Sequence, residues 1–178
     1  MKLVFAFECF ADEDIWHILV NECGLPLRKR HSESKGRVVT DTLRNFRAHL
    51  GLVDQDPGAV APETLQQAKR VQFEGDVELR TLRDHHVLIL HPRLEDCFMK
   101  GMRGVGLKSE LARTAEELHR VLGTPSAYRH NLFREELRTL RSQAKRKRIP
   151  VFLIDLEKIV RRLMVSLRQA CVISSNAL

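Results

Sequence analysis

Lys2-Leu3-Val4-Phe5-Ala6-Phe7-Glu8-Cys9-Phe10-Ala11-Asp12 is the stretch whose reading decides the fold. Lys2–Phe7 is a short, continuous apolar run with two phenylalanines and a valine, the composition of a buried strand. It runs into Glu8 and Asp12, and Ala11–Cys23 then takes up helical spacing through Ile15, Ile18 and Leu19. Gly24 and Pro26 end that helix. Strand, acid, helix is how an α/β sheet begins.

The rest of the first hundred residues extends the pattern. Leu27–Glu33 reads as a basic strand near a sheet edge. Val38, Val39, Thr42, Leu43 and Phe46 space as a helix, and Ala48–Val53 reads as a second buried strand. That strand stops at Asp54-Gln55-Asp56-Pro57-Gly58, a turn marked by adjacent Pro and Gly. Strand, helix, strand, helix, strand implies right-handed crossovers and a largely parallel sheet. Pro62–Arg70 suggests a short helix, Val77–Leu82 and Val87–Leu90 a hairpin or two neighbouring strands, and Pro92 the opening of another helix.

Beyond Gly104 the chain turns basic and helical. A capping box, Thr114-x-x-Glu117, starts one helix, and Ala127–Lys147 forms a longer one with Leu132, Phe133, Leu137, Leu140 and Ala144 on one face. Val151–Ile154 reads as one more strand, with Asp155 as the N-cap of a last helix striped from Leu156 to Cys171. The expected organisation is an α/β domain over residues 1–104, with residues 105–178 as a basic helical region packed on or beside it. The last stripe suits its own sheet, or a second copy of the chain in a homodimer.

The acids fall where such a sheet collects ligands. Glu8 and Asp12, then Asp54 and Asp56, then Glu95 and Asp96 follow three separate apolar runs, and open parallel sheets bind ligands at the carboxyl ends of their strands. In an extended chain Asp54 and Asp56 project to the same side. Carboxylates held together repel, which a divalent cation relieves, and Mg²⁺ or Mn²⁺ prefers hard oxygen ligands of this kind. Asp12 also fits an acid at a helix start, and Asp54-x-Asp56 before Pro-Gly also fits a plain turn.

Phe7-Glu8-Cys9-Phe10-Ala11-Asp12 resembles the Glu-x-x-x-Asp element of Toprim domains, and Leu52-Val53-Asp54-Gln55-Asp56-Pro57-Gly58 resembles their Asp-x-Asp element. Leu90-His91-Pro92-Arg93-Leu94-Glu95-Asp96-Cys97-Phe98 is similar to an acidic helix start in small nuclease-like members. The resemblance covers about residues 1–100 and implies a Toprim-like, mostly parallel sheet flanked by helices. It implies Mg²⁺-dependent work on nucleic-acid phosphodiesters by an OLD-type nuclease. Glu8 would serve as acid/base or metal ligand and Asp54 and Asp56 as catalytic metal ligands, with Asp12 and Glu95 supporting the metal. Cys9 stands where many members carry glycine. A non-catalytic Toprim-like module that binds nucleic acid or protein within a larger assembly is the competing implication.

Charge divides the chain. Residues 1–99 carry 13 Lys/Arg against 16 Asp/Glu, and residues 100–178 carry 17 against 7. An acidic half that holds cations beside a basic half that attracts polyanions suits DNA or RNA as partner, and Lys145-Arg146-Lys147-Arg148 is the candidate nucleic-acid contact. The same residues also suit a charged helix end. No apolar run reaches membrane length, and the four separated cysteines (Cys9, Cys23, Cys97, Cys171) read as small buried residues, so a cytoplasmic location is expected. Trp16 and Tyr128 are both expected to pack. His85-His86 reads as turn surface.

Overall fold

A computed structural model describes residues 3–55, 60–124 and 126–175, with side chains as far as residue 167. The expected Asp56-Pro57-Gly58 turn falls outside the described residues. Six strands form one mixed sheet: β1 (Leu3–Phe7), β2 (Leu27–His31), β3 (Leu50–Asp54), β4 (Lys69–Glu74), β5 (Val77–Leu82) and β6 (His85–Leu90), in the order β2-β1-β3-β6-β5-β4. The pairings β1·β2, β1·β3 and β3·β6 are parallel, while β5 pairs antiparallel with β6 and β4 with β5.

Alternation along the strands builds two cores. Phe5 and Phe7 of β1, Leu50 and Leu52 of β3, and Leu88 and Leu90 of β6 face one layer of helices. That layer comprises α1 (Phe10–His17, continued by a π-helical turn Ile18–Glu22), α4 (Leu94–Val105), α5 (Ala115–Leu122), α6 (Ala127–Lys147) and α7 (Phe152–Ser175). Phe98 of α4 meets Phe133 of α6 edge-on at 5.1 Å, and both rings are fully buried. Residues before and after position 104 therefore share one apolar core.

Ala6, Val53, Val87 and Ile89 face the opposite layer, made by α2 (Lys35–Val39, continued by a π-helical turn Thr40–Arg44) and α3 (Glu63–Gln67). Here α2 lies close to the sheet. A Cβ at Gly51 would stand 2.8 Å from Thr42 Oγ1 and 3.0 Å from Val38 Cγ1, closer than side chains pack. Glycine at this point of β3 is what allows the approach.

The architecture is the expected α/β sheet with a mostly parallel centre, and several local readings change. Val151–Ile154 is not a strand: α7 begins at Phe152, and the backbone N–H groups of Ile154 and Asp155 both donate to the Val151 carbonyl. Asp155 accordingly lies in the first helical turn, past the cap. The helix expected at Pro62–Arg70 stops at Gln67, because Lys69 onward pairs with β5 as an edge strand. Tyr128 is 75% exposed rather than packed, and Cys9 is exposed rather than buried. His85 and His86 open β6 instead of lying in a turn, with Nδ1 atoms 2.8 Å from the Ala48 carbonyl and Thr81 Oγ1. No helix among the described residues is long and apolar enough to cross a membrane.

Candidate functional site

β1 and β3 are adjacent and parallel, so both deliver their carboxyl ends to the same edge of the sheet. Phe5 pairs with Leu50 and Ala6 with Gly51; β1 ends at Phe7, so Glu8 is the first residue past it, while Asp54 is the last residue of β3. Neighbouring strands lie about 4.8 Å apart, so the two acids leave the same edge of the sheet from adjacent strands. Asp54 follows Leu50 and Leu52 on the face that carries α1 and α4. Its charge is felt by Cys9 at the start of α1 and by Cys97 in α4. Asp54 therefore stands between the amino ends of two helices, where a negative charge is favoured.

Asp12 closes the β1–α1 turn. Its Oδ2 accepts hydrogen bonds from the backbone N–H groups of Glu8 and Cys9, each at 3.3 Å. These bonds use donors that the first turn of a helix would otherwise leave unsatisfied. They also favour the ionised carboxylate, but burial outweighs them. Desolvation, helped by the neighbouring charge of Glu8, pushes Asp12 from 3.8 up to about 7. Although Cys9 is exposed as a residue, its thiol is pushed upward, first by desolvation and then by the charge of Asp12, with Asp54 adding to it, which keeps it protonated. Asp12 of α1 and Asp54 at the end of β3 thus both act on Cys9.

The other expected residues are spent elsewhere or lie apart. Glu95, 6% exposed in the first turn of α4, meets His119 Nδ1 of α5 at 2.9 Å, which ties α4 to α5. Lys145 pairs with Glu157 at 3.0 Å and Lys147 donates to the Val105 carbonyl, capping the last turn of α4. Arg146 reaches Gln143 Oε1, and Arg148 ends α6 in the left-handed conformation at φ 57°. All four are exposed. Because Lys147 marks the far end of the 12-residue α4, the basic run lies about 18 Å along that helix from the acidic end.

Many other cations of the carboxyl-terminal helices are internally matched. Glu157 alone holds Arg141, Lys145 and Arg161 at 2.9–3.0 Å. Glu22 holds Arg138 at 2.7 Å, and Glu74 holds Arg162 at 3.3 Å.

A second cluster adjoins the acids and carries no local sequence signal. Asp14 of α1 is buried and held by His130 Nδ1 at 2.7 Å and by Arg134 Nε at 2.8 Å, both from α6. Desolvation pushes Asp14 up to about 6 despite these partners. The partners lie 116 residues apart in the chain, so only the packing of α1 on α6 brings them together.

Among the described residues no three His, Cys, Asp or Glu side chains form a set able to hold a metal ion. Glu8 and Asp54 do supply two hard oxygen donors from adjacent strand ends, and Mg²⁺ commonly takes one or two carboxylates and completes its shell with water. Comparison with family models, with curated proteins and with solved structures returned no match.

Proposed function

We propose that this chain is a Toprim-like, divalent-metal-dependent hydrolase of nucleic-acid phosphodiesters. What supports the reading is that β1 and β3 are adjacent and parallel, so that Glu8 and Asp54 follow strands ending at the same edge of the sheet, and that Asp12 and Asp54 both act on Cys9 at the start of α1. Such crowding raises the free energy of the unliganded protein, and a cation at the strand ends lowers it.

Glu8 and Asp54 would hold the ion; Asp56, the further ligand the resemblance implies, lies outside the described residues. Bound Mg²⁺ would polarise the phosphodiester and lower the pKa of an attacking water. Asp12, anchored on the Glu8 and Cys9 amides, fixes the turn that aims Glu8 and leaves that carboxylate to accept a proton from water. The amino ends of α1 and α4 flank Asp54 and favour a phosphate beside it. The exposed Lys145–Arg148 run, about 18 Å along α4, is reached by roughly five nucleotide steps of a strand that leaves the acidic end.

Incubation of labelled DNA and RNA with Mg²⁺ or Mn²⁺ tests the reading. Cleavage that needs the metal and disappears in Asp54→Ala supports it; cleavage that survives the substitution refutes it. The engagement of Asp12 in a helix cap and of Glu95 with His119 favours a second reading, a non-catalytic module of the same fold that binds nucleic acid or a protein. Salt-sensitive binding without any cleavage would select it.

A further inference from the structure

The two edges of the sheet are finished differently. β2 carries Arg28, Lys29 and Arg30 and no exposed large apolar side chain, the charged finish that keeps an edge from pairing with another chain. β4, at the opposite edge, pairs only with β5, so a row of its backbone N–H and C=O groups faces outward. Val71 and Phe73 on that strand are 56% and 51% exposed. Lys158 and Arg162 of α7 reach Glu74 at the end of β4, at 3.5 and 3.3 Å. Val165, also exposed, follows Arg162 by one helical turn on the same side of α7. An open backbone edge and apolar side chains from two elements therefore share one side of the molecule.

β4 complements its own reverse. It begins with Lys69-Arg70 and ends with Glu74. About a dyad between Val71 and Gln72, Lys69 stands opposite Glu74, Arg70 opposite Phe73 and Val71 opposite Gln72. Residues directly opposite in an antiparallel pair must lie on one face, which a regular strand forbids for partners an odd number of positions apart. The register with β5 slips at Val71 and removes that obstacle. Lys69 and Glu74 pair with Thr81 and Val77 and so share one face, while Arg70 and Phe73 pair with Arg80 and Glu78 on the other. Within one copy the Arg70 guanidinium already lies over the Phe73 ring at 5.7 Å.

We infer that two copies of this chain dimerise by antiparallel pairing of β4 with β4, which continues the sheet across both copies. Charge selects a second copy in this orientation: Lys69 of each meets Glu74 of the other, whereas a parallel partner would set like ends together. The slip at Val71 lies at the centre of the pairing, so both strands bend at the same point. Val71 and Phe73 are covered at the seam, and Val165 flanks it from α7. The dimer is independent of the proposed phosphodiester chemistry.

Sedimentation velocity of the full chain over a concentration series tests this, with amide hydrogen exchange at residues 69–74 as a second readout. The wild type is expected to dimerise, and exchange at 69–74 should slow as the dimer forms. Val71→Lys and Phe73→Lys, both at exposed positions, should leave circular dichroism unchanged and give monomers. Lys69→Glu should weaken the dimer about tenfold, because an opposite-charge pair becomes a like-charge pair twice across the dyad. Tyr128→Lys, at an exposed position on α6, should leave the dimer intact. A wild type that stays monomeric at its highest soluble concentration overturns the inference. So does a dimer that survives Phe73→Lys, or one that forms without slowing exchange at 69–74.

Discussion

Replacing Asp12 with asparagine is expected to stabilise the protein at neutral pH and above. Burial raises the Asp12 carboxyl from 3.8 to about 7, so between those values the native state holds its proton more tightly than the unfolded chain does. Stability then falls as pH rises through that window, by about 4 kcal/mol as an upper bound. Asparagine keeps an oxygen to accept from the Glu8 and Cys9 amides but cannot ionise. Losing a negative charge at a helix start costs about 0.3–1 kcal/mol, which leaves a net gain of at most about 3 kcal/mol at pH 8.

Urea unfolding from pH 4 to pH 8, followed by far-ultraviolet circular dichroism, measures both curves. The wild-type curve should drop away from that of Asp12→Asn between pH 4 and 7, and the gap should then flatten. Asp14, raised to about 6, tilts both curves alike and cancels in the difference. Added Mg²⁺ should narrow the gap by binding beside the carboxylates. Parallel curves, or an asparagine variant less stable at pH 8, would refute the reasoning.

Three further outcomes concern the frame around the site. Glu157, held down to about 2 by Arg141, Lys145 and Arg161 once their hydrogen bonds outweigh its burial, contributes stability above about pH 4.5 that is lost toward pH 2. Glu157→Gln should cost about 1–3 kcal/mol at pH 7, after solvent screening of the half-exposed cations, and almost nothing near pH 2 in urea titrations. Gly51→Ala drives a methyl group into Thr42 Oγ1 and Val38 and should cost about 1–3 kcal/mol by the same assay. Phe133→Ala empties a fully buried position against Phe98 and should cost about 3–5 kcal/mol, lowering the thermal midpoint accordingly.

The sheet centre was legible because β1, β3 and β6 are buried on both faces and read as unbroken apolar runs. The shared edge of β1 and β3 was legible as well, since parallel neighbours deliver their carboxyl ends to the same side. The edge strand β4 stayed hidden because its apolar side chains, Val71 and Phe73, point to solvent rather than to either core. Val151–Ile154 is apolar for a different reason: the first turn of α7 is buried almost all round, and four residues cannot distinguish a strand from a helix so placed. The Asp14–His130–Arg134 cluster depends on α6 crossing α1, so no local spacing marks it. The cations of α6 and α7 suggested an open basic face, but Glu157, Glu22 and Glu74 neutralise many of them.

Manganese titration, followed by the loss of the free-ion paramagnetic resonance signal, tests the central claim most directly. The wild type should show saturable binding at one site, and Glu8→Gln and Asp54→Asn should each abolish it while circular dichroism stays unchanged. Identical manganese binding in the wild type and both folded variants would show that these two strand ends do not share a cation, and the proposed chemistry would be wrong.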